Sequence, residues 1–140
     1  MKPIRIVIIL FLINLFLTSM VWAYNQGPNI IRECPKCKTL FIQETTGSGN
    51  TFGARFWTDG KMVAPMLPDR PWLVKCQNCG TLIWIDETKE LGEDSSWEEH
   101  KKWPNAVNTS IPNETEILNL LASAELSNEK ELYARRIAWW

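Results

Sequence analysis

The sequence contains one phrase twice, as CPKCKTLF at residues 34–41 and as CQNCGTLI at residues 76–83. An offset of 42 residues places cysteine on cysteine twice and Thr-Leu on Thr-Leu, and the two pairs include all four cysteines of the chain. The Cys-x-x-Cys spacing is typical of a tight turn that points both sulfurs to one side. The repeat therefore predicts two turns, each ending one strand and starting another, and each offering two thiols.

Two such turns supply the four thiolates that a tetrahedral metal ion requires. The residue after the second cysteine of each pair must take a left-handed backbone, which glycine adopts without steric cost. Gly80 occupies this position in the second turn, whereas Lys38 occupies it in the first and fits that backbone less well. We therefore expect a metal site in which the second turn is the better formed. The candidate ligands are Cys34, Cys37, Cys76 and Cys79.

Residues 30–87 resemble a zinc ribbon, the rubredoxin-like module in which two knuckles hold one metal ion between β-hairpins. The resemblance implies that the four cysteines bind one Zn²⁺ per chain. The 38 residues between the cysteine pairs are more than a usual ribbon carries, which predicts an inserted β-hairpin at residues 50–65 with its turn at Asp59-Gly60. Residues 49–76 also resemble those of uncharacterised bacterial proteins with such ribbons, and that likeness implies no activity.

Three other uses of the cysteines remain open. Four thiolates also hold a single iron ion, as in a rubredoxin-like electron carrier. In an oxidising compartment the cysteines can form two disulfides instead. The pair Cys34 and Cys37 could act in thiol–disulfide exchange, although such pairs lie at a helix N-terminus and residues 39–42 are strand-like here. Zinc is favoured because closed all-thiolate sites are commonly structural.

Residues 1–23 have the layout of a secretory signal peptide. Two basic residues precede an apolar stretch at residues 6–17, and Val21-Trp22-Ala23 fits a cleavage site. An uncleaved membrane anchor is the alternative, because the apolar stretch is almost long enough to span a bilayer. In both cases residues 30–140 lie on the outer side of the membrane. We therefore expect an exported protein, periplasmic or extracellular, that touches the membrane only if the segment is uncleaved.

The remaining segments are distinguished by composition. Residues 24–29 form a linker, and residues 88–112 are predicted to be an irregular acidic connector. Residues 113–140 have apolar positions at helical spacing, with Asn113 and Ser127 as N-caps, and predict a short α-helical hairpin. The fold class is thus a small β-rich zinc ribbon with an inserted hairpin, followed by two helices.

Charge and residue inventory limit the possible functions. The net charge is −1, and residues 88–140 carry six basic and ten acidic side chains, so a nucleic-acid partner is not expected. His100 is the only histidine and lies in a charged stretch, so no catalytic set is indicated. We expect a non-catalytic module that binds an unknown protein partner. Candidate contacts in or near the inserted hairpin are Arg55, Phe56, Trp57 and Arg70, and strand alternation predicts that at most one of the two rings faces outward. The alternative is a rubredoxin-like electron-transfer or thiol–disulfide redox protein.

The chain ends on Trp139-Trp140, two large apolar rings with no polar residue after them. Either these rings pack back on the ribbon, or the chain is a shortened form of a longer exported protein.

Overall fold

A computed structural model describes residues 24–140. The predicted signal or anchor at residues 1–23 lies outside the described residues. Within residues 24–140, none of the helices has the length and apolar character needed to cross a membrane.

Residues 24–140 form short strands in several small sheets, and helices follow toward the C-terminus, which confirms the β-rich part of the predicted fold class. The strands are β1 (Asn25–Gln26), β2 (Asn29–Glu33), β3 (Leu40–Gln43), β4 (Thr46–Ser48), β5 (Arg55–Phe56), β6 (Met62–Val63), β7 (Leu73–Lys75), β8 (Leu82–Trp84), β9 (Glu90–Asp94) and β10 (Val107–Asn108). The helices are α1 (Trp97–His100), α2 (Glu114–Ser123) and α3 (Asn128–Trp139), and Ile85–Glu87 forms a 3₁₀ turn.

The four-stranded sheet has the order β10-β3-β2-β9. Its central pair, β2 and β3, is an antiparallel hairpin closed by the first cysteine turn, with Glu33 opposite Leu40. Ile31 and Phe41 from this pair are buried. The first cysteine turn therefore projects from the middle of the sheet, where both of its strands are held by a neighbour.

Two strands of this sheet come from residues 88–112, where the sequence predicted an irregular connector. β9 pairs antiparallel with β2, and β10 pairs parallel with β3. Both are edge strands, so backbone pairing rather than an apolar alternation forms them, and their sequences give no strand pattern. Gly92 in β9 is packed against Trp103, since a Cβ at this glycine would lie 3.0 Å from the indole. The predicted linker at residues 24–29 likewise contains β1, which pairs with β4.

The second cysteine turn closes a separate two-stranded sheet of β7 and β8. Side chains alternate across its two faces. Val74 and Ile83 point into a first core that contains the cysteines. Leu73 and Trp84, which lie opposite each other in the register, point into a second core formed with the helices. One small sheet is therefore shared by two cores.

Helices α2 and α3 form the predicted helical hairpin on the second face of this sheet. Asn113 and Glu116 make a reciprocal capping box at the start of α2, and the Ser127 hydroxyl caps α3 by accepting from the Lys130 backbone N–H. Both N-caps were predicted from the sequence. The caps fix where each helix begins, which places Ile117 and Ala134 in the second core.

Polar contacts add to this packing. The Lys130 ammonium lies 5.1 Å from the centroid of the Trp84 ring and pairs with Asp86 at 3.1 Å. The Tyr133 hydroxyl oxygen accepts a hydrogen bond from the Trp72 backbone N–H at 2.9 Å. The helical hairpin is thus attached to β7–β8 by apolar, cation–π and hydrogen-bonded contacts together.

The inserted hairpin forms as predicted. β5 and β6 pair antiparallel, and Gly60 in the turn has φ +82°, a left-handed conformation that glycine favours. Trp140 contacts this hairpin, with its ring centroid 4.8 Å from that of Trp57 and its Nε1 donating to Asp59 at 2.8 Å. Trp139 is 83% exposed and Trp140 is 51% exposed, so one of the two terminal rings packs back on the inserted hairpin with about half of its surface still in solvent.

Adjacent positions on α2 test the second core. Ile117 is 2% exposed and Leu118 is 50% exposed. We expect Ile117→Ala to lower the free energy of unfolding by about 2–5 kcal/mol, because it leaves a cavity under the helical hairpin. Leu118→Ala is the matched control and should change it by less than about 0.5 kcal/mol. Urea unfolding of both variants measures the difference, and equal costs would show that α2 does not pack as described.

Candidate metal centre

The structure brings the four predicted ligands together. The Sγ atoms of the four cysteines all lie within 4.8 Å of one another, with Cys34 and Cys79 separated by 3.8 Å and Cys37 and Cys76 by 3.6 Å. Sulfurs at the corners of a tetrahedron with a metal–sulfur distance of about 2.3 Å are about 3.8 Å apart. All four cysteines are free thiols. The cluster can therefore hold one metal ion and is compatible with a zinc-ribbon-like site.

Each ligand pair sits in a turn of the same construction, which we call the first knuckle (residues 34–39) and the second knuckle (residues 76–81). In the first knuckle the Cys34 N–H donates to the Thr39 carbonyl at 2.9 Å, and the Lys38 N–H donates back to the Cys34 carbonyl at 3.0 Å. The second knuckle repeats both bonds at 2.9 Å each. The repeated phrase in the sequence therefore corresponds to a repeated backbone.

The knuckles differ at the position after their second cysteine. Gly80 has φ +70° and Lys38 has φ +63°, so both take the left-handed conformation. For a residue with a side chain this conformation costs about 1–2 kcal/mol, so the first knuckle is strained and the second is not. The Lys38 ammonium pairs with Glu33 at 3.0 Å on the protein surface.

Burial separates the ligands into two kinds. Cys34 and Cys76 are buried, whereas Cys37 and Cys79 are half-buried. Burial raises the pKa of the Cys76 thiol to about 11. Hydrogen bonds from the hydroxyl and backbone N–H of Thr39 lower the pKa of Cys37 to about 5. A metal ion entering at neutral pH would therefore displace a proton from Cys76 and meet a thiolate at Cys37.

Threonine hydroxyls accompany both half-buried sulfurs. Thr39 Oγ1 lies 3.2 Å from Cys37 Sγ, and Thr81 Oγ1 lies 3.2 Å from Cys79 Sγ. Hydrogen bonds from Thr81 likewise lower the pKa of Cys79. The sequence signal was the repeated Cys-x-Thr, which aligns these residues without giving them a role. Such neighbours orient and stabilise metal-bound thiolates.

Asn78 connects the two knuckles. Its Nδ2 donates to Thr39 Oγ1 at 2.9 Å, across a separation of 39 residues in the chain. Sequence reasoning did not identify Asn78, because nothing local distinguishes it from its exposed neighbour Gln77. The bond ties the hydroxyl beside Cys37 to the opposite knuckle.

Apolar side chains close the inner side of the cluster. Phe41, Val74, Ile83 and Ile85 are buried with the inner cysteines, and Trp72 packs against them. Phe41 and Trp72 thus cover the sulfurs on the apolar side. Trp84 lies in the second core instead, because strand alternation turns it to the other face of β8.

His100 stays outside this centre, as the sequence predicted. Its ring is exposed, stacks on Trp97 and lies 3.0 Å from a carboxylate oxygen of Asp94. Among residues 24–140, the four cysteines are the group of three or more His, Cys, Asp or Glu side chains arranged to hold a metal ion.

Comparisons with protein-family models, curated proteins and solved structures found no match to this chain. The zinc-ribbon likeness therefore rests on the cysteine phrase and on the geometry of the four sulfurs.

Substitutions at the two left-handed positions test the difference between the knuckles. Gly80→Ala should cost about 1–2 kcal/mol of stability from backbone strain, because the added Cβ would meet Lys75 Cε at an ordinary 3.9 Å. Lys38→Gly should stabilise the metal-loaded protein by up to about 1 kcal/mol, since relief of strain exceeds the entropy that glycine adds to the unfolded chain.

The control for the first knuckle is Lys38→Ala, which removes the Glu33 ion pair and keeps the strained backbone. Chemical denaturation of the metal-loaded variants gives each free energy. A Lys38→Gly protein that is no more stable than Lys38→Ala would contradict the strain at this position.

Proposed function

We propose that this chain is an exported, non-catalytic protein whose ribbon is held together by one structural zinc ion and which binds a protein partner through its inserted hairpin. The observation that carries the zinc assignment is the approach of the four sulfurs, with separations of 3.8 Å and 3.6 Å within the two closest pairs. These values match the edge of a zinc–thiolate tetrahedron.

The ligand set supports a structural rather than a catalytic role. Four protein sulfurs fill all four tetrahedral positions, and a catalytic zinc ion needs one position left for water or substrate. Cys34 and Cys76 are among the buried residues of the first core, so the ligands are themselves core residues. When bound, the zinc ion would supply a fixed cross-link between two hairpins.

The size of the cores explains why a cross-link is needed. A two-stranded hairpin such as β7–β8 is marginally stable alone in water. Apparent zinc-binding free energies of about 10 kcal/mol in zinc-finger peptides are as large as the net stability of a small domain. Metal binding can therefore supply what the small apolar cores lack.

Exposed aromatic residues support a partner surface on the inserted hairpin. Phe52 is 79% exposed and Phe56 is 70% exposed, with Arg55 beside Phe56. Exposed apolar side chains next to arginine are typical of protein interfaces. Export rests on the composition of residues 1–23.

An iron-containing electron carrier is the second candidate, and the hydroxyls beside Cys37 and Cys79 favour it, because hydrogen bonds to thiolate sulfurs tune the potential of iron centres. Thiol–disulfide exchange has less support. The pair Cys34 and Cys37 lies between strands β2 and β3 and not at the N-terminus of a helix.

Metal analysis of the purified chain separates these functions. Native mass spectrometry should give one zinc ion per chain, and the four cysteines should be alkylated far more slowly in the folded protein than after denaturation. A red protein that is reversibly reduced and contains one iron ion would replace the structural assignment with electron transfer. Two disulfides without metal would overturn both.

Loss of one ligand should also weaken the packing of helices α2 and α3. We expect Cys76→Ser to raise hydrogen exchange in both β7–β8 and α2–α3, because the sheet that loses its cross-link also carries the second core. Gln77→Ser, at an exposed position in the same knuckle, is the control and should exchange like the parent protein. A Cys76→Ser protein that stays folded with unchanged melting would refute the structural role of the metal.

A further inference from the structure

A reagent in solvent can contact the candidate metal centre at its two half-buried sulfurs. Cys34 is 0% exposed and Cys76 is 2% exposed, so solvent meets the cluster at Cys37 and Cys79. Any electrophile that attacks the folded, metal-loaded protein must choose between these two thiolates.

Their hydrogen-bond donors are held differently. The Thr39 oxygen accepts the Asn78 amide hydrogen at 2.9 Å and lies 3.2 Å from Cys37 Sγ. As a thiol, Cys37 donates to Thr39 Oγ1, which also accepts from Asn78. As a metal-bound thiolate, Cys37 can only accept, so the Thr39 hydroxyl would turn its own hydrogen toward the sulfur while its oxygen stays engaged by the Asn78 amide. The donor beside Cys37 is therefore oriented by the protein.

The donor beside Cys79 lacks this support. Thr81 Oγ1 lies at the same 3.2 Å from its sulfur, but within residues 24–140 no side chain holds the Thr81 hydroxyl as Asn78 holds Thr39. The repeat explains the difference, because the position that matches Asn78 in the first knuckle is Lys36, which is exposed and has no amide. A thiolate with a fixed donor has less electron density available for attack than one whose donor can rotate away.

We propose that Cys79 is the modification site of this centre for soft electrophiles, and that the Asn78–Thr39 pair protects Cys37. This inference rests on the proposed function, because it takes the four cysteines to be metal-bound thiolates. Iodoacetamide is a suitable probe. The Cys79 sulfur forms a bond to the reagent's CH₂ carbon, iodide leaves with the electron pair of the carbon–iodine bond, and the resulting thioether gives up its bond to the metal.

Modification of Cys79 would first alter the structure of the second knuckle. Cys79 belongs to the turn that closes β7–β8, and the other face of that sheet holds α2 and α3. An electrophile that acts at Cys79 would therefore loosen the attachment of the helical hairpin before it disturbs the four-stranded sheet.

The full chain, in its metal-loaded form, is treated with less than one equivalent of iodoacetamide. Peptide mass spectrometry then locates the label. We expect Cys79 to react at least about threefold faster than Cys37, with the two buried cysteines last, since the net contribution of a typical hydrogen bond corresponds to about a factor of ten or less in rate. Asn78→Ala should accelerate Cys37 by about three- to tenfold and leave Cys79 unchanged. Gln77→Ala is the matched control and should change neither rate.

A second variant keeps the proposal testable if Asn78→Ala fails to fold. Asn78→Asp keeps the side-chain size but accepts the Thr39 hydrogen instead of donating, which withdraws it from Cys37 and should also accelerate labelling there. Faster labelling of Cys37 than of Cys79 in the parent protein, or equal changes at both sites in the Asn78 variants, would overturn the proposal. Native mass spectrometry of the same sample separates the two claims: metal present with the wrong order overturns this inference alone, and disulfides without metal overturn both.

Discussion

The structure depends on four sulfurs meeting at one point. The first knuckle belongs to the four-stranded sheet and the second to the pair β7–β8. Within residues 24–140, the backbone link between the two sheets is a bridge between Lys75 of β7 and Ser110, which follows β10. Cys34 pairs across this gap with Cys79, and Cys37 with Cys76. Four mutually close thiolates would repel one another without a cation between them, so the geometry that joins the sheets is also compatible with a metal ion at its centre. Within the described residues, the cluster joins the two hairpins together with the apolar side chains of the first core and the backbone bridge between Lys75 and Ser110.

The pair β7–β8 connects the cysteine core to the helices. Val74 and Ile83 contact the cysteine core, and Leu73 and Trp84, one step along each strand, contact α2 and α3. Because both sets of side chains stand on the same six residues of backbone, neither core can lose its packing while the sheet keeps its shape. The ribbon and the helical hairpin are therefore coupled through a very small element, although they looked like separate segments in the sequence.

Features set by local rules could be predicted from the sequence, and features set by distant contacts could not. The clustering of the four cysteines follows from the Cys-x-x-Cys spacing, the inserted hairpin from Asp59-Gly60, and the helix starts from Asn113 and Ser127. β9 and β10 were missed because edge strands need backbone partners rather than apolar alternation. The role of Asn78 was missed because its partner, Thr39, lies in the other half of the repeat.

The positions at which the two cysteine phrases differ therefore explain the properties of each knuckle better than the positions at which they agree. Where the two phrases agree, at cysteine, threonine and leucine, they form matched cysteine pairs with matched hydroxyls, an arrangement that could close a tetrahedron around a metal ion. Where they differ, the knuckles acquire separate properties. Lys38 in place of glycine puts strain in the first knuckle, and Asn78 in place of Lys36 donates a hydrogen bond from the second knuckle to the first.

The first knuckle thus has a strained backbone and a sulfur whose hydrogen-bond donor is held in place. The second has a relaxed backbone and a sulfur whose donor is not held. If the proposed order of reactivity holds, an electrophile would act on the knuckle whose backbone stores no strain, and the strained knuckle would keep its sulfur protected.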